Sequence, residues 1–242
     1  MDNIVVLKIE FDFGYGKDTI YPVILTDKDE MVLVDCGYAG FLPRLEQAAV
    51  KNGVDLTVLT RIIITHHDHD HMGSLAAIKR KYPHIQVIAN EKDAPYVSGK
   101  IKSLRLEQAE NVQSTLPQEQ QESGRIFQEI LKTVENETVD LTVKDGDYFP
   151  WCGGVEIVET PGHMPGHISV YLRKHKVLIS GDALAIENGK LEIAAPQFTL
   201  DMTEAKKSIS KLLNYDIKSV ICYHGGEYKG DITEDIKRIL NE

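Results

Sequence analysis

The chain has 242 residues, 42% of them hydrophobic and 26% charged, ample for one large globular unit with a sizeable core. Its formal net charge of −10 argues against a nucleic-acid polyanion as the main partner. The cysteines, Cys36, Cys152 and Cys222, form an odd, sparse set without metal-ligand spacing, which speaks against a disulfide framework and for a reducing compartment.

The first ten residues carry no basic stretch, apolar core or small-residue cleavage site, and no apolar run approaches transmembrane length. The expectation is a cytoplasmic protein without a membrane partner. Residues 4–11 and 20–25 read as strands joined by a turn at Gly14, Tyr15 and Gly16, and 31–34 as a third strand ending at Asp35, Cys36 and Gly37. Residues 42–51 have helical periodicity, stopped by Asn52 and Gly53. Ile62, Ile63 and Ile64 make a short β-branched run that reads as a buried strand. A helix over 74–81 and a strand over 85–89 follow. Strands alternating with helices predict a layered α/β architecture.

Between Ile64 and that helix stand His66, His67, Asp68, His69, Asp70 and His71, six consecutive side chains able to ligate a metal. Loops ordinarily favour Gly, Pro, Asn and Ser, so a plain polar turn is the weaker reading. Two registers compete inside the stretch. His67, His69 and His71 alternate and would share one face of an extended segment; His66, Asp68, Asp70 and His71 form the other set. Local spacing does not choose between them.

From about residue 91 the pattern changes. Residues 104–110 and 125–132 look helical and amphipathic, with a polar stretch over 118–123 between them. We read 98–136 as a helical insertion, or lid, within a single domain spanning 1–242. Strands return at 139–143, 155–160, 168–172 and 177–180, with a turn at Asp145, Gly146 and Asp147. Thr203 is the expected N-cap of a helix running to 213, with Glu204 in its first turn. A strand over 219–222 and a helix from 231 close the chain.

Four strands thus end in candidate ligands: the 66–71 segment, His163 in Thr160-Pro161-Gly162-His163, Asp182 in Ser180-Gly181-Asp182, and His224 after Tyr223. In this order the fragments resemble the metallo-β-lactamase fold superfamily, whose Thr-His-x-His-x-Asp-His-x-Gly motif is matched at Thr65, His66, Asp70, His71 and Gly73. The resemblance spans roughly 4–230. It implies an α/β (α+β) fold, a four-layer αββα sandwich of two mixed β-sheets flanked by helices, with metals at one sheet edge. It also implies a register: His66, Asp68 and His163 around one metal, Asp70, His71 and His224 around the other, and Asp182 bridging. His67 and His69 then become spacers, and Asp35 a support for the ligand loop through hydrogen bonds. His167, after Gly166 at a strand start, reads as a non-ligand, and His84 and His175 as solvated turn residues.

Asp68 stands where the family most often has a second histidine, a carboxylate also found in its flavodi-iron branch. It adds negative charge and favours harder metals, so of the two divalent ions implied zinc leads, with iron or manganese as alternatives. The implied chemistry is hydrolysis of a small ester, lactone or thioester by a metal-bridging hydroxide, with Asp70 orienting or relaying a proton. Tyr223 reads as a core or rim residue. The alternatives are a phosphodiesterase, a mono-iron redox enzyme acting on a sulfur substrate, and a metal-binding regulatory module without turnover.

Overall fold

The β-branched runs of the chain become strands buried on both faces. Residues 3–14 and 16–241 are described by the computed structural model. Asn3–Val6, Val23–Thr26, Met31–Val34, Arg61–Ile64, Gln86–Asn90 and Leu141–Val143 lie side by side in that order as one six-stranded sheet. Its first three strands alternate in direction, and from Met31–Val34 onward each neighbour is parallel. The second six-stranded sheet runs Gly226–Tyr228, Ser219–Cys222, Val177–Gly181, Ile168–Leu172, Val155–Glu159 and Tyr148–Phe149. It is antiparallel except where Val177–Gly181 lies parallel to Ser219–Cys222.

Alternation along the strands assigns each side chain to a layer. Val32, Val34, Ile63 and Ile88 of the first sheet meet Val155, Ile157, Val170 and Ile179 of the second, forming the central core. Ile62 and Ile64 point the other way, joining Leu45 and Ala49 of helix Leu42–Lys51 and Leu75 and Ile78 of helix Leu75–Lys81. On the far side Val158, Leu178 and Val220 pack with Ile209 of helix Met202–Lys211 and with Ile232, Ile236 and Ile239 of helix Ile232–Asn241. Each large aliphatic side chain so buried contributes about 1.5–3 kcal/mol. Helix, sheet, sheet, helix is the αββα order.

The chemistry-bearing residues gather at one edge of this sandwich because strands deliver them there. Met31–Val34 runs into Asp35, Arg61–Ile64 into Thr65 to His71, Val177–Gly181 into Asp182, and Ser219–Cys222 into His224. The two sheets are stitched together at this edge, where the Ile168 N–H donates to the Thr65 carbonyl (3.0 Å).

Several expected boundaries move. The strand expected over 4–11 is two, Asn3–Val6 and Ile9–Asp12, and 20–25 likewise divides into Lys17–Ile20 and Val23–Thr26. Pro22, which has no N–H for a ladder, lies in the second break, and its carbonyl accepts from Leu7 N–H (2.8 Å) in the first. Ile9–Asp12 and Lys17–Ile20 pair as a separate hairpin; Tyr15 of its turn lies outside the described residues. The N-cap of Met202–Lys211 is Asp201, not Thr203, because the Asp201 carboxylate accepts from Glu204 N–H (2.9 Å). A hairpin of Leu184–Glu187 and Lys190–Ile193 and a short helix, Ala94–Val97, had no counterpart in the sequence reading. Residues 98–136 include two α-helices, Leu104–Val112 and Gln121–Lys132, with two short 3-10 helices between them.

Candidate metal centre

Asp35 organises the edge. Its backbone takes a positive φ of 60°, uncommon for a residue with a side chain, and its carboxylate is 1% exposed. Asp35 Oδ1 accepts from Thr65 N–H (2.8 Å), and Oδ2 accepts from both Thr65 Oγ1–H (2.8 Å) and His71 Nδ1–H (2.9 Å). With its proton given to Asp35, the Thr65 hydroxyl oxygen is left to accept from His66 Nδ1–H (3.1 Å). This network assigns the Nδ1–H tautomer to both histidines and leaves both Nε2 lone pairs facing the same space.

Three sets of side chains converge there, each with its donor atoms within 4.8 Å of one another: His66, Asp68 and His163; His66, His71 and Asp182; Asp70, His71 and His224. Asp68 Oδ2 lies 3.1 Å from His163 Nε2 and 3.6 Å from His66 Nε2. Asp70 Oδ2 lies 3.2 Å from His224 Nε2 and 3.7 Å from His71 Nε2. Asp182 reaches both groups, with Oδ1 3.3 Å from His71 Nε2 and Oδ2 3.6 Å from His163 Nε2. All seven residues singled out from the sequence are therefore in one cluster.

The donor set fits divalent metal ions. His66 Nε2, His71 Nε2 and Asp182 Oδ1 are buried without a hydrogen-bond partner, an arrangement that a protein interior does not tolerate unless something else satisfies the groups. The field favours positive charge as well. Burial works against protonation of His71 and His224, yet Asp182 and Asp70 raise His71 well above the usual imidazole range and His224 to about 9.

His67 faces elsewhere. Its Nδ1 is 2.9 Å from Asp93 Oδ1, its ring stacks on Tyr96 at 4.4 Å, and Leu104 N–H donates to its Nε2 (3.4 Å). His69 sits edge-on to Tyr38 and Phe127. Both line a cavity of about 270 Å³, walled on the other side by Tyr96, Leu106, Leu131 and neighbouring residues of the excursion. His84 is exposed, whereas His175 is only half-exposed. Tyr223 is 3% exposed and donates its hydroxyl to the Asp70 carbonyl (2.6 Å), a core residue holding the loop.

Two contributors lay beyond sequence reasoning. His167 is fully buried, and its Nε2 accepts from the Asp182 N–H (2.9 Å) while Nδ1–H donates to Thr160 Oγ1 (2.8 Å). The chain of donation continues from Thr160 to Ser169 (2.9 Å) and on to the Ser180 carbonyl (3.0 Å). Burial and the neighbouring His66 and His163 hold His167 well below its ordinary pKa, so it stays neutral and positions Asp182. Gly181 permits this: at φ +52° its Cβ would stand 2.7 Å from His167 Nε2. The sequence reading set His167 aside as a non-ligand, and nothing local pointed to this positioning role. The second is Arg105 of helix Leu104–Val112, 6% exposed, whose Nη2 donates to Asp68 Oδ2 (2.7 Å). Nothing in the local sequence joins residues 37 apart.

The sequence model of the Metallo-beta-lactamase superfamily matches residues 16–224. The chain is 27% identical over 239 residues to the probable metallo-hydrolase YflN of Bacillus subtilis, covering 88% of this chain and 84% of that protein. It is 26% identical over 172 residues to the hydroxyacylglutathione hydrolase of Rhizobium meliloti, covering 70% of this chain but only 49% of the enzyme. Among solved structures, the metallo-beta-lactamase family protein TTHA1429 of Thermus thermophilus shares the fold with a TM-score of 0.74 at 20% identity, over 98% of this chain and 78% of that one. The BLEG-1 B3 metallo-beta-lactamase shares it at 0.71 and 20% identity, over 99% and 100%. With its sheets, its clustered donors and most of its length matched in this way, the chain belongs to the metallo-beta-lactamase superfamily.

Proposed function

We propose that this chain is a metal-dependent hydrolase acting on a small ester, lactone or thioester. His66, Asp68 and His163 would hold one divalent ion and Asp70, His71 and His224 a second, with Asp182 in reach of both sets. The observation that carries this reading is the convergence of His66 Nε2, His71 Nε2 and Asp182 Oδ1, all buried and all without a hydrogen-bond partner. When bound, divalent ions supply Lewis acidity toward water and toward a carbonyl oxygen. The chain's own residues do the rest. Asp35 and Thr65 fix the tautomers of His71 and His66, so that lone pairs rather than N–H groups face the centre. Asp70, whose Oδ1 is 3.4 Å from His69 Nδ1, holds and relays the proton lost by the attacking water. Substrate arrives on the side of His224, whose side chain is 33% exposed beside Asp70 and Asp182 at 12% each. The 98–136 excursion forms a wall over the site, since Arg105 reaches Asp68 and Phe127 touches His69.

The likeness to enzymes named hydroxyacylglutathione hydrolase favours a thioester within this class, although the chain spans about half the length of those relatives. No helix among the described residues is long and apolar enough to cross a membrane. The experiment is elemental analysis of protein purified without added metal, followed by a panel of thioesters, lactones and phosphodiesters. Two zinc ions per chain with thioester turnover support the reading. One iron per chain and no hydrolysis of any substrate favour a redox enzyme instead, a reading the carboxylate at position 68 also accommodates.

A further inference from the structure

Asp68 does not stand alone opposite the centre. Arg105 Nε lies 3.3 Å from both of its oxygens and Nη2 2.7 Å from Oδ2. The rest of the guanidinium is used as well, Nη1 donating to Gln108 Oε1 (2.9 Å) and Nη2 to the Phe198 carbonyl (2.9 Å). The pair is buried, with side-chain exposures of 7% for Arg105 and 5% for Asp68. A buried planar fork with acceptors on Nε, on both N–H groups of Nη2 and on Nη1 is a preorganised partner, unlike the exposed pairs elsewhere in the excursion such as Arg125 with Glu122.

We propose that Arg105 is the counter-ion that lets a carboxylate occupy position 68, and that Asp68 and Arg105 together replace the neutral imidazole of the family motif. The two charges cancel, so the centre keeps the net charge it would have with histidine there. A count made from the ligand loops alone assigns Asp68 an uncompensated negative charge, and Arg105 removes it. The same contact makes helix Leu104–Val112 part of the metal centre, since the guanidinium is its own side chain. Arg105 is a positioning residue on this view. It touches a ligand and not the reacting atoms.

A charge of this kind a few ångströms from a bound cation acts strongly in a partly buried site, and the two members of the pair act in opposite senses. Arg105→Gln leaves the carboxylate unopposed and should tighten zinc binding by about tenfold or more. Asp68→His leaves the guanidinium unopposed and should weaken it by about as much. The double variant Asp68→His with Arg105→Gln restores neutrality, and its zinc affinity should return to within about threefold of the parent. Metal-free protein gives a second readout. Each single variant breaks a buried pair and should lower Tm by roughly 5–15 °C, and the double should recover more than half of that loss.

The measurements are zinc affinity by chelator competition and Tm of the metal-free chain, on all four forms. An Arg105→Gln protein that binds zinc more weakly, as it would if Arg105 only braced the fold, overturns the proposal. So does a double variant whose metal-free Tm falls by the sum of the two single losses. Should Arg105→Gln be insoluble, Arg105→Lys keeps the charge without the fork. Its zinc affinity should stay within about threefold of the parent, and a shift of tenfold or more in either direction rejects the charge role. The inference rests on Asp68 being a ligand. A parent chain that takes up no zinc or iron sinks that reading, whereas failure of the metal-free Tm cycle sinks only the pairing.

Discussion

Consecutive residues on an extended segment point to opposite sides, so His66 and His67 can share neither partners nor role. His66 is locked by Thr65 and turns Nε2 to the carboxylates; His67 turns to Asp93 and Tyr96. His66→Ala should therefore lose metal and activity. His67→Ala should keep both metals but leave the Asp93 carboxylate buried and unpaired, costing roughly 1–3 kcal/mol of stability. Elemental analysis and thermal melts on the two variants make the comparison, and equal metal loss refutes the assignment. Asp35 gives a sharper case. Asp35→Asn keeps the shape but offers an amide N–H where Thr65 and His71 donate, which drives His71 toward the tautomer with its proton on Nε2. Metal affinity should fall about 10- to 100-fold with little change in secondary structure; an unchanged affinity would mean that the tautomer is set by something else.

At the scale of the elements, what the sequence revealed and what it hid divide along a physical line. Strands buried on both faces announce themselves as β-branched runs, and 168–172 and 219–222 were legible to the residue. Breaks that depend on a partner were not: Leu7 leaves its ladder for the Pro22 carbonyl, and Asp201 rather than Thr203 meets the Glu204 N–H. The same holds at the site. The loops that carry the ligands were visible as local clusters of His and Asp, but only the family resemblance, not spacing, chose His66 over His67, while Arg105 and the role of His167 exist only through long-range contacts. The excursion is the element whose role most needs a test. The cavity of about 270 Å³ between it and His67, His69 and Met72 is the space a lid would offer to the apolar part of a substrate. Leu106→Trp, which fills part of that space away from the Asp68 contact, should raise KM several-fold while metal content and kcat stay near the parent values. Unchanged kinetics on every substrate turned over would reduce the cavity to a packing gap.

Across the whole molecule, each proposed metal is a cross-link between the two sheets. His66 and Asp68 come from the first sheet's edge and His163 from the second; Asp70 and His71 come from the first, His224 and Asp182 from the second. Without ions, the two sides of this edge are joined by the Thr65–Ile168 backbone hydrogen bond, by the Tyr223 hydroxyl on the Asp70 carbonyl, and by contacts among groups that are themselves incompletely satisfied. Binding to the folded chain and not to the unfolded one stabilises by RT ln(1 + [L]/Kd), about 4 kcal/mol at a thousandfold excess over Kd. Chelation should therefore lower Tm by roughly 8–16 °C for a chain of this size. The loosening should also be local. Hydrogen exchange at Ile168, whose amide spans the sheets beside the centre, should speed up on metal removal. Amides between Val155–Glu159 and Tyr148–Phe149, at the opposite border of the second sheet, should change little. Equal acceleration at both places would mean that the metals stabilise the sandwich as a unit. No change at Ile168 would mean that the ions do not bridge the sheets, and the ligand set that joins His66 to His163 and His71 to His224 would then be wrong.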